Sequence, residues 1–75
     1  MAFKKDRVEI ISDVSGRDGI GIEVYRNNEL IVEIFRDDTQ KTRTITNHKN
    51  DISVEFMEEC INIFRKEIPW DFICD

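Results

Sequence analysis

The chain is poor in the residues that build metal and catalytic centres. Its 75 residues include one histidine, His48, and two cysteines, Cys60 and Cys74. A structural zinc site takes about four nitrogen or sulfur ligands. No second histidine and no CxxC pair is present to supply them. Two thiols are also too few for a disulfide framework, so they read as free thiols in a reducing compartment. No apolar run approaches the ~20 residues that a membrane-crossing helix requires. The opening residues, MAFKKDRVEI, carry basic side chains but no apolar stretch of the signal-peptide kind. One cytoplasmic domain over residues 1–75 is the expectation.

Positive charge is the second shortage. Eleven Lys and Arg stand against sixteen Asp and Glu, for a net charge of −5. Phosphate contacts need clustered cations, so the balance disfavours nucleic acid. Weak binding of that kind would have to run through Lys4, Lys5, Arg7, Lys41 and Arg43. A solvated lead-in to a strand is the plainer reading of Lys4 to Arg7.

Periodic apolar residues are what the chain does have. Ile20, Ile22 and Val24 alternate with Gly21, Glu23 and Tyr25. After the polar break Arg26-Asn27-Asn28, Leu30, Val32 and Ile34 alternate with Ile31, Glu33 and Phe35. Period two with β-branched residues marks two strands of a hairpin. A two-residue turn would set Val24 opposite Ile31 and Ile22 opposite the charged Glu33. A three-residue loop would pair Val24 with Leu30 and Ile22 with Val32, gathering six aliphatic side chains on one face. The sequence therefore favours the longer loop, with Asn28 in the left-handed region that asparagine tolerates.

The flanks fit around this hairpin. Val8–Val14 reads as a first, edge strand, with Val8, Ile10 and Val14 on one side. Ser15 to Gly19 is turn chemistry. Arg36 to Gln40 is a second polar turn, and Lys41 to His48 is a threonine-rich fourth strand suited to the other edge. Then the period lengthens. Val54, Met57, Ile61, Phe64 and Ile68 recur at helical spacing, widened by Phe56 and Cys60. Asp51 or Ser53 can cap this helix, with Ile52 and Met57 as a staple if Ser53 does. Pro69 ends it. The tail Trp70 to Cys74 is apolar enough to fold back on the domain or to meet a partner. The fold class is α+β: a four-stranded antiparallel meander with one C-terminal helix on one face, ββββα.

The chemistry on offer is sparse. His48 near Asp51 reads as a surface residue before a helix cap. Gly16 to Gly21 runs G-x-x-G-x-G into a strand, whereas dinucleotide phosphate loops run from strand into helix. Asp13, Ser15 and Asp18 miss the calcium-loop spacing. Glu23 with Glu33, and Asp37 with Asp38, are solvated carboxylate pairs without the desolvation that acid–base work needs. No nucleophile elbow is present. No enzyme, cofactor or metal is expected.

The sheet face away from the helix is more informative. Strand parity places Ile11, Tyr25, Ile31 and Phe35 there among acids. Apolar residues rimmed by charge mark interfaces. The expectation is a small acidic protein-binding module, a class that includes immunity- and antitoxin-type inhibitors of a basic partner. Its contacts would be Tyr25, Ile31, Phe35, Glu23, Glu33, Asp37 and Asp38. The alternative is a structural homodimer that packs through the open face or a sheet edge.

Overall fold

A computed structural model describes residues 6–13 and 18–73. Most of the Ser15–Gly19 turn lies outside these residues, as do Val14, Lys4, Lys5 and Cys74. Four strands form one antiparallel sheet in chain order: β1 (Asp6–Asp13), β2 (Gly19–Arg26), β3 (Glu29–Asp37) and β4 (Thr42–Asn47). One helix follows, α1 (Val54–Glu67). This is the ββββα meander that the alternating runs and short connections imply.

The hairpin closes differently from the expectation. Asn27 and Asn28 both have positive φ, 53° and 66°, and Arg26 pairs with Glu29. That is the two-residue turn whose twist matches the strands it joins. The apolar face survives because the register slips once. Tyr25 pairs with Leu30 and Val24 with Val32, so Ile31 is an extra residue in β3. Beyond this bulge Ile22 faces Ile34 and Glu23 faces Glu33. The bulge does the work assigned to a longer loop. It also moves Ile31, which joins the core under the helix instead of facing away from it.

Helix α1 lies over β2 and β3. Its N-terminus is capped by Ser53, whose Oγ accepts the Phe56 N–H at 3.0 Å. Glu55 in the first turn and Arg65 and Lys66 in the last complement the helix dipole. At the other end Ile68 is extended, as a residue before proline prefers, and its N–H still reaches the Phe64 carbonyl at 2.9 Å. The buried stripe is Phe56, Cys60 and Phe64, continued by Ile68. It is rotated from the expected one: Val54 is 73% exposed, while Met57 and Ile61 sit at the margin. Ile22, Val24, Val32 and Ile34 form the matching floor. Burying each of these side chains contributes roughly 1.5–3 kcal/mol.

Strand β3 also runs further than expected. Arg36 and Asp37 belong to it, paired with Arg43 and Thr42, and the turn comes at residues 38–41 with Lys41 at φ 58°. Asp37 Oδ1 accepts the N–H groups of Thr39 and Gln40, at 3.0 and 2.9 Å, which shapes this turn.

Candidate protein-docking face

Strand parity gives the sheet a roofed face, under α1, and an open one. On the open face three glutamates line up across neighbouring strands. Glu9 pairs with Glu23, Glu23 with Glu33, and the row ends at Thr46. Adjacent strands lie about 4.8 Å apart, so carboxylates directly opposite one another repel. The next row, Arg7, Tyr25 and Leu30, offsets part of that. Arg7 Nε donates to Glu9 Oε2 at 2.8 Å, and its guanidinium lies 4.0 Å from the Tyr25 ring centroid. Tyr25 donates its hydroxyl to Glu23 Oε1 at 2.8 Å. That hydrogen bond raises the phenol's pKa above its usual value, with burial and the Glu23 and Glu9 charges adding and Arg7 opposing. The hydroxyl therefore stays protonated as a donor.

The predicted contact residues divide. Tyr25, Glu23 and Glu33 come together on the open face, each partly exposed. Phe35 shares the face but is 1% exposed, lying over Gly21 and Gly19, whose missing side chains leave it room. Ile31 is under the helix, carried there by the bulge. Asp37 is occupied in its turn. Asp38 points to the tail. Glu9 joins them as a residue outside the expected set, and its parity with Glu23 is the sequence signal for it.

The tail is held by a clamp that the sequence did not announce. Arg36, 2% exposed, donates from Nη1 to the Pro69 carbonyl at 2.6 Å and from Nη2 to Asp38 Oδ2 at 3.2 Å. Its Nε lies 3.0 Å from Asp38 Oδ1, an ion-pair contact outside hydrogen-bond alignment. Its cross-strand neighbour Arg43 donates to the next carbonyl, Trp70 O, at 3.0 and 2.7 Å. Arg43 and Arg65 both lie against the indole of Trp70, at 3.9 and 4.2 Å from its ring centroid. Asp38 Oδ1 then accepts the Ile73 N–H at 3.0 Å. The tail from Trp70 to Ile73 thus folds back on the roofed side of β3 and β4.

This clamp makes the fold sensitive to acid. Burial pushes the Asp38 carboxyl up, but the Ile73 N–H, the Arg36 hydrogen bond and the Arg36 and Lys41 charges outweigh it, so its pKa falls below the usual value. A depressed folded pKa contributes stability above the unfolded value, near pH 4. That contribution is lost as pH falls through the lower folded value. Urea melts at stepped pH should show wild type and Asp38→Asn converging as pH falls below about 4. A gap that stays constant across this range would contradict the assignment.

Little else offers chemistry. Burial pushes the Cys60 thiol up to about 11, helped by Glu59 and opposed by Arg26. A thiol so placed is a core side chain and not a nucleophile. Among the described residues no three or more His, Cys, Asp or Glu side chains are grouped to hold a metal ion. No helix there is long and apolar enough to cross a membrane. Comparison with protein-family models, curated proteins and solved structures finds no match for this chain.

Proposed function

We propose that this chain is a small, acidic, non-enzymatic module of the cytoplasm that docks its open sheet face on a basic protein, in the manner of an immunity- or antitoxin-type inhibitor. The row Glu9–Glu23–Glu33, with Tyr25 beside it, carries the reading. Its repulsion costs stability within the fold and is relieved when a partner's cations meet it. Tyr25 adds an amphipathic ring of the kind enriched at interfaces. The net charge of −5 steers basic partners and repels nucleic acid. Of the cations considered for phosphate binding, Arg7 and Arg43 already have intramolecular partners.

The test is capture from a lysate of the native host on immobilised protein, with bound proteins identified by mass spectrometry. Wild type should retain a basic protein. A Glu23→Lys, Glu33→Lys double variant should retain it at least about tenfold less well, with unchanged circular dichroism. Equal capture by the two would reject this face.

A further inference from the structure

The roofed side of the sheet is not fully roofed. Because α1 sits over β2 and β3, a groove runs between the helix and β4. At one end a 230 Å³ pocket is floored by Ile34 and Ile45, walled by Ile61 and closed by Arg65 and Trp70. Past Ile61 a 460 Å³ recess continues by Met57 to Asn47, bordered by Asp51 and Glu58. Ile45 is 45% exposed over this groove and Trp70 41%.

Among the described residues β4 is an edge strand, with β3 as its neighbour in the sheet. Its outward backbone groups can receive another strand. Its charge is unlike that of the rest of the chain. In a protein with sixteen acidic residues, the twelve residues 39–50 contain none, yet include Lys41, Arg43 and Lys49. The groove beside β4 is likewise basic at the Trp70 end, through Arg43 and Arg65, and acidic at the other, through Asp51 and Glu58.

We propose that the β4 edge accepts an extended segment of a partner protein whose groove-facing residues, every second one, are apolar and end in a carboxylate at the Trp70 end. Strand addition supplies the main-chain hydrogen bonds, and side-chain alternation does the rest. Apolar side chains enter the groove against Ile45 and Ile61. A carboxylate at the Trp70 end pairs with Arg65, whose contact among the described residues is with the indole ring. A second copy of this chain is a poorer occupant, because its own β4 has no carboxylate to offer Arg65. This surface lies on the opposite side of the molecule from the glutamate row and stands or falls separately from it.

Trp70, the one tryptophan in the chain, reports occupancy directly. The probes are capped peptides of about eight residues, a typical strand length. Both carry valine at every second position with threonine between; at the last groove-facing position one has glutamate and the other lysine. The glutamate peptide should shift Trp70 emission saturably and perturb the β4 amides in ¹H–¹⁵N spectra. It should bind at least about tenfold tighter than the lysine peptide, by a margin that narrows as salt rises. Arg65→Glu and Ile45→Glu, both at exposed positions, should each remove most of that binding while leaving circular dichroism unchanged. No binding, equal binding of the two peptides, perturbations confined to β1 or the open face, or a stable β4-to-β4 dimer in sedimentation would each overturn the proposal.

Discussion

Replacing Arg36 by alanine is expected to cost about 3–5 kcal/mol, the usual penalty for breaking a buried ion pair from one side. Domains of this size hold only about 3–5 kcal/mol in total, so the variant should be largely unfolded at room temperature. The cause is what is left behind. Asp38 keeps its charge and the Ile73 N–H but loses both guanidinium contacts, and the Pro69 carbonyl loses its donor. Trp70 sits next to that carbonyl, so its emission should shift red at denaturant concentrations where wild type is still folded. A double-mutant cycle sharpens the test. Arg36→Met with Asp38→Asn should cost clearly less than the two single changes summed, because neither charge is then stranded. Additive losses, or an alanine variant within about 1 kcal/mol of wild type, would show that the arginine is not holding the tail.

The second large effect separates two aromatic residues of one sheet face. Phe35→Ala should destabilise the protein by about 3–5 kcal/mol, the cost of emptying a well-filled aromatic site. Tyr25→Ser should cost about 1 kcal/mol, the net worth of its hydrogen bond to Glu23. Parity alone treats the two as equivalent. The difference lies in what each one crosses: Phe35 is paired with Gly21, while Tyr25 stands between Arg7 and Leu30. A Cβ added at Gly21 would meet the Ile34 carbonyl oxygen, and would lie 2.9 Å from Phe35 Cδ1. The glycine is thus the floor on which the ring lies. Urea melts of the two variants decide the matter, and equal losses would mean that Phe35 is an ordinary surface residue.

Legibility followed the strength of each periodicity. Period-two runs gave the four strands, and the change to helical spacing at Ser53 gave α1 and its cap. The open face with Tyr25, Glu23 and Glu33 followed from the same parity. What escaped were features that break a period. The bulge at Ile31 is one backbone slip with no composition of its own. It made a three-residue loop look necessary and left Ile31 on the wrong face. Arg36 reads as turn in the sequence because a lone arginine in an apolar face signals polarity, and its carbonyl and carboxylate partners lie more than thirty residues away or past the strand end. Val54 has helical spacing to Met57 and Ile61, but Phe56, Cys60 and Phe64 repeat every four residues and took the centre of the contact.

The extra residue in the hairpin has a consequence for length variation. Because β3 carries one residue more than its partner requires, losing a residue at Ile31 would straighten the ladder and leave Val24 opposite Val32. Losing one at Glu33 would turn the remainder of the strand inside out. The hairpin therefore has one position at which a deletion keeps every downstream side chain on its own side of the sheet, and that position lies beside the asparagine turn.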